Sequence, residues 1–145
     1  MRQIKEIIIH CSATKEGTNV PPSMIKSWHL ARGFSDIGYH YVITLDGRVH
    51  VCRPENKQGA HCKGRNKHSI GICYVGGLDA NGKPKDTRTN LQKQALILIC
   101  RELRYKYGNI PIRGHYEFAN KACPCFDVSE LDDVMPLAPM TEPVI

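Results

Sequence analysis

Two apolar runs constrain this chain more than any other feature. IKEIIIH (4–10) is short, continuous and rich in isoleucine, and SIGICYVGG (69–77) ends in a pair of glycines. The first reads as a buried strand and the second as a central strand with a glycine stop. Other elements fall between and after them. Met24, Ile25, Trp28 and Ala31 have helical spacing between Pro22 and Arg32, with Gly33 as a stop. In YHYVITLDGRVHVCR (39–53), two β-rich runs flank Asp46-Gly47, a strong hairpin signal. The clearest helix is 90–107. Thr89 and Gln92 form a T-x-x-Q capping box, Leu91, Ala95, Leu98, Ile99 and Leu103 form its apolar stripe, and Gly108 follows it. IPIRGH (110–115) reads as a short strand, and 127–133 as a short helix.

The order strand, helix, hairpin, strand, helix, strand predicts an α/β fold: one central mixed β-sheet flanked by helices. With 145 residues, 41% hydrophobic and 23% charged, the chain fits one domain with a real core. Residues 1–134 are expected to form it. The tail MPLAPMTEPVI (135–145) has three prolines and no periodicity, and is expected to be loosely held. The polar segment 54–68 is a long loop of the kind that often carries function.

A net charge of +6 and a pI near 9.0 favour an anionic partner, either nucleic acid or an acidic wall polymer. The basic residues are spread out, with mild clusters at KGRNKH (63–68) and RELRYK (101–106), so a solvated basic face is the plainer reading and nucleic acid is not expected. Seven cysteines, an odd number, suggest no disulfide framework. Cys11, Cys52, Cys73 and Cys100 sit in apolar segments and suit a reducing compartment during folding. MRQIKEIIIHCSAT has neither a signal-peptide nor a membrane-spanning pattern, so synthesis in the cytoplasm without membrane insertion is expected.

His10, at the end of the first strand, and His115 and Cys123, eight positions apart in RGHYEFANKACPCFD, are candidate metal ligands from opposite ends of the chain. Three protein ligands leave one tetrahedral position open, as in catalytic zinc sites. Spacing alone does not decide the matter, because His-x₇-Cys is no zinc signature and a lone histidine is usually structural. In an extended Cys-Pro-Cys, Cys125 faces the same side as Cys123 and competes with it as a ligand. Cys11 points to the face opposite His10. Lys121 reads either as a solvated lysine or as a cation beside the metal, placed to stabilise a developing oxyanion. Tyr39 reads either as a packed aromatic or as a phenol serving the reacting water.

Together HCSAT (10–14), Trp28-His29, GYHY (38–41), DGRV (46–49), GAHCKGRN (59–66), SIGICYVGG (69–77), RGHYE (113–117) and KACPCFD (121–127) closely resemble the zinc-dependent N-acetylmuramoyl-L-alanine amidases of the amidase-2 class, in particular their amidase-type phage lysozymes. These share a fold with peptidoglycan recognition proteins. The resemblance spans most of the chain. It implies one zinc ion per chain on His10, His115 and Cys123, with Cys123 rather than Cys125 set as ligand by the KAC spacing. It also implies catalytic support from Tyr39 and Lys121, and substrate contacts from His61 and Asn66. Cys125 stands where relatives commonly have a small residue such as serine or glycine. The implied reaction cuts the amide between N-acetylmuramic acid and L-alanine of the stem peptide, so peptidoglycan is the expected partner, reached in the periplasm or wall after release. Relatives that lack the cysteine bind peptidoglycan without cutting it, whereas every ligand is present here. One phage lysozyme of this type also inhibits its phage RNA polymerase, and there an N-terminal extension before the first strand matters for inhibition. Only MRQIKE precedes the apolar run here, so polymerase binding is not expected, and a monomer is.

Overall fold

The computed structural model describes residues 2–137. Strand β1 (Glu6–Cys11) is followed by the two-residue β2 (Thr14–Lys15) and helix α1 (Pro22–Ala31). The hairpin strands β3 (Tyr41–Ile43) and β4 (Val49–Val51) lead through the long loop to β5 (Ser69–Tyr74) and the short β6 (Gly77–Leu78). Helix α2 (Asn90–Tyr107) and β7 (Ile112–Gly114) complete the main elements. The main sheet has the order β4-β3-β5-β1-β7, and β2 and β6 form a separate two-stranded pair. β3, β5, β1 and β7 run parallel, and only β4, at the edge, is antiparallel. The sheet is therefore mixed, as expected. The two apolar runs lie side by side at its middle, with Ile7 opposite Ile70 and Ile9 opposite Ile72. Every residue of β1 and β5 is buried, as a strand covered on both faces requires.

Alternation sends the two halves of β1 to different tasks. Ile7, Ile9 and Cys11 point into the larger core with Ile70, Ile72, Tyr74 and the α2 residues Leu96, Ile99 and Leu103. Ile8 and His10 point to the opposite face. There α1 covers only part of the sheet, through Ile25 against Val42, Cys73 and Val75. The rest of that face is left for the 54–68 loop and the site.

The capping box forms: the Gln92 amide donates to Thr89 Oγ1 at 3.0 Å, and the Thr89 amide donates to Gln92 Oε1 at 2.9 Å. The buried stripe of α2 is rotated from the expected one. Leu91 and Leu98 are exposed, while Gln92, Ala95, Leu96, Ile99, Cys100, Leu103 and Arg104 are buried. The polar members are buried because their side chains donate to backbone carbonyls outside the helix. Gln92 Nε2 donates to Ile43 and Val75, and Arg104 donates to Ile110, Asp132 and Val134. On α1, Met24 and Trp28 are likewise exposed, and Ile25 and His29 take the buried positions. The expected helix at 127–133 is a one-turn 3-10 helix at Val128–Leu131. The first tail residues dock on α2: Arg101 donates to the Met135 carbonyl, and its own carbonyl accepts from Leu137. The rest of the expected loose tail, 138–145, lies outside the described residues.

Candidate metal centre

Strand register brings the first two candidate ligands together. Ile9 pairs with Gly114 across the parallel β1–β7 ladder, so the residues that follow, His10 and His115, stand next to each other. Their Nδ1 atoms are 3.2 Å apart. Cys123 enters from the segment after β7. The Cys11 backbone amide donates to its sulfur at 3.2 Å. The donor atoms of His10, His115 and Cys123 all lie within 4.8 Å of one another, so this group could hold a metal ion. Tetrahedral zinc with bonds of about 2.0–2.3 Å sets neighbouring donors roughly 3.3–3.6 Å apart, and two imidazoles with one thiolate form a catalytic zinc donor set. The donor chemistry fits, and so does the 3.2 Å separation of the two imidazole nitrogens.

Cys125 is not part of the group. The Cys125 amide closes a tight turn onto the Ala122 carbonyl at 2.7 Å, and Cys125 has φ +69°. The extended Cys-Pro-Cys that would make it a competitor does not form. Its sulfur lies 3.9 Å from that of Cys11, on the α2 side of the sheet.

His61 takes a place the sequence did not indicate. Its Nδ1 lies 2.8 Å from Nε2 of His10, and its Nε2 lies 3.2 Å from Ser69 Oγ. One proton assignment satisfies this row. With the Nδ1 lone pair of His10 turned toward His115 and Cys123, its Nε2–H donates to His61, whose own Nε2–H donates to Ser69. Gly71 makes the arrangement possible, because a Cβ there would stand 2.6 Å from the His61 ring. Asn66 holds the same loop: its Oδ1 accepts from the amides of His61 and Cys62, each at 2.9 Å. Both residues also border the cleft, and each has a structural duty as well.

A cleft bordered by His115 has a volume of about 530 Å³. Tyr39, His61, Asn66, His115 and Lys121 border it, together with Arg32, Phe34, Lys63 and Phe118, which the sequence reading did not single out. No carboxylate lines it, so its charge is positive. The Tyr39 ring lies 5.1 Å from that of His10 and 5.3 Å from that of His29. Burial pushes the Tyr39 phenol up, keeping it protonated at neutral pH. Burial, followed by the neighbouring imidazoles and Lys121, holds His10 well below the usual histidine range. His115 is lowered by burial and then by Lys121. Burial is also the main cause at His61, which is pushed down to about 3. Neutral imidazoles are the form that ligates a metal.

The family model described as N-acetylmuramoyl-L-alanine amidase matches residues 1–126. The chain belongs to this family. The amidase is 45% identical over 122 residues to an endolysin of Escherichia phage T7, covering 84% of this chain and 81% of that one. Among solved structures it is similar to the N-acetylmuramoyl-L-alanine amidase LysC from Clostridium intestinale, with a TM-score of 0.77, 31% identity, and coverage of 90% of this chain and 83% of that one. It is also similar to bumblebee PGRP-SA, with a TM-score of 0.77, 25% identity, and coverage of 97% and 87%. The mixed sheet with two flanking helices is thus common to amidases and peptidoglycan recognition proteins. Among the described residues of the amidase, no helix is long and apolar enough to cross a membrane.

Proposed function

We propose that this amidase holds one zinc ion on His10, His115 and Cys123, and that it cuts the bond between the lactyl group of N-acetylmuramic acid and L-alanine of the stem peptide. The protein is a peptidoglycan hydrolase of the endolysin type. The observation that carries the zinc reading is the convergence of two imidazole nitrogens and one cysteine sulfur, with His115 bordering a cleft. When bound, zinc supplies a Lewis acid that polarises a carbonyl and lowers the pKa of water toward about 7.

The chain's own residues do the rest. Phe34 and Phe118 give the cleft apolar walls, and Lys121, Arg32 and Lys63 give it cations suited to the carboxylates of a stem peptide. Lys121 stabilises the oxyanion that forms when water adds to the amide carbon. Tyr39, protonated at neutral pH, donates a hydrogen bond to the reacting oxygen and does not act as a base. His61 and Ser69 fix the tautomer and ring orientation of His10 from behind. Attack breaks the C–N bond, leaving the lactyl carboxylate on the glycan and the free amine on alanine. The enzyme is made in the cytoplasm and meets its substrate in the periplasm or wall after release.

Incubation with purified peptidoglycan tests this reading. The expected products are intact glycan strands and stem peptides with a free alanine N-terminus. New reducing sugar ends, or peptide fragments cut internally, would place the cleaved bond elsewhere.

A further inference from the structure

The 54–68 loop covers the face of the sheet that carries His10, yet it has almost no secondary structure of its own. Its backbone polar groups must find partners elsewhere, and side chains supply them. Arg53 Nη1 donates to the Gln58 carbonyl at 2.7 Å. His40 accepts from the Gly71 amide at Nδ1, which leaves its proton on Nε2, donated to the Lys57 carbonyl at 2.8 Å. The largest contribution comes from Arg2. Its Nε and Nη2 donate to the Glu55 carbonyl at 3.1 and 2.7 Å. Its Nη1 reaches the carbonyls of Asn66, Lys67 and Ser69 at 3.2–3.3 Å. The 3.2 Å approach of Nη2 to His40 Nε2 places two donors side by side, and adds no hydrogen bond.

Arg2 therefore joins the entry of the loop, at Glu55, to its exit, at Asn66–Ser69. Between these points lie His61, which backs His10, and Lys63 and Asn66, which border the cleft. We propose that Arg2 is a positioning residue for the reaction: its guanidinium staples the two ends of the cleft loop and sets where His61, Lys63 and Asn66 stand against the metal-site residues. A guanidinium suits the task because its donors diverge in a rigid fork toward separate carbonyls, whereas an ammonium is a single point. The three proposed metal ligands lie outside the loop, so loosening the staple reaches the metal only through His61 and acts on substrate positioning directly. This inference rests on the amidase reading for its kinetic consequence, but not for its structural one.

The test compares Arg2→Ala and Arg2→Lys with the parent chain in two measurements. Hydrogen exchange of the zinc-loaded protein is expected to show the 55–67 amides losing protection by about tenfold in Arg2→Ala, the scale of one or two lost hydrogen bonds, while α2 and β5 are unchanged. Hydrolysis of a soluble muramoyl-tripeptide is expected to show a KM raised about tenfold with kcat within about threefold, and Arg2→Lys is expected to recover part of it. Loop exchange and KM both within twofold of the parent in Arg2→Ala would overturn the proposal. So would a loss of protection spread evenly over β1, β5 and α2, which marks a general fold contact. If the parent chain does not cut the substrate, the amidase reading fails, and the exchange arm still decides the staple.

Discussion

Gly71→Ala would test how tightly the His61–His10 pair is built. Gly71 lies on β5 opposite Ile8, on the face that carries His10. An added Cβ would sit 2.6 Å from His61 Cδ2 and Cγ and 2.8 Å from Nδ1. Ordinary contact is 3.4–4 Å, so the ring must retreat by roughly 1 Å. The His61 backbone is pinned by Asn66 at 2.9 Å, so the ring must turn where it stands. A shift of that size takes the 2.8 Å contact with His10 out of hydrogen-bond range. Overpacking of this kind costs about 1–3 kcal/mol. At about 2–4 °C per kcal/mol for a chain of this size, the expected fall in Tm is roughly 2–12 °C. Loss of an outer partner of a metal-binding histidine typically weakens metal affinity by about 10–100-fold. Thermal melting and zinc competition against a chromophoric chelator read the two effects. Adding His61→Ala removes the ring that the methyl strikes, so the double variant should lose clearly less than the sum of the singles. Parental Tm and zinc affinity in Gly71→Ala, or strict additivity in the double variant, would refute the reasoning.

Three further outcomes are expected. Lys121→Ala should lower kcat by about 10²–10³ with zinc still bound, the usual cost of removing one oxyanion donor; near-parental turnover would remove Lys121 from the mechanism. Cys125→Ser should keep both zinc and turnover, since the sulfur of Cys125 faces Cys11; loss of zinc would return it to the ligand set. The metal-free protein should lose stability as pH falls below about 6.5, the unfolded-state value for histidine. His10, His29, His40, His61 and His115 are all held low, chiefly by burial, with His40 at about 4 and His61 at about 3. Unfolding in that window takes up protons, so the urea midpoint should drop steadily toward pH 4, and a flat profile from pH 7 to 5 would contradict this.

Much of this was legible in the residues. The continuous runs of β1 and β5 could only be buried strands, and Thr89-x-x-Gln92 marked the start of α2 to the residue. The helix stripe was misread because Gln92 and Arg104 count as surface residues in any hydrophobic pattern. They are buried because their side chains donate to carbonyls outside the helix, which no local pattern reveals. The candidate ligands were legible as a set by resemblance only, since the pairing of Ile9 with Gly114 that joins His10 to His115 is a long-range register. The contacts of His61 with His10 and of Arg2 with the loop were not legible at all. They depend on the path of a loop fixed by side-chain hydrogen bonds, and loops of that kind leave no periodic trace. The positive φ of Cys125, which turns it from the site, was equally hidden in an ordinary Cys-Pro-Cys.

The central claim is that one histidine in β1, one just past the end of the neighbouring parallel strand β7, and one cysteine beyond them hold a catalytic zinc. Metal content of the purified chain and of Cys123→Ala, measured by plasma mass spectrometry alongside peptidoglycan clearing, addresses it most directly. The parent should carry about one zinc per chain and lose clearing activity to a chelator, and Cys123→Ala should lack both metal and activity. A parent that clears peptidoglycan without bound zinc, or a Cys123→Ala variant with its full complement, would contradict it.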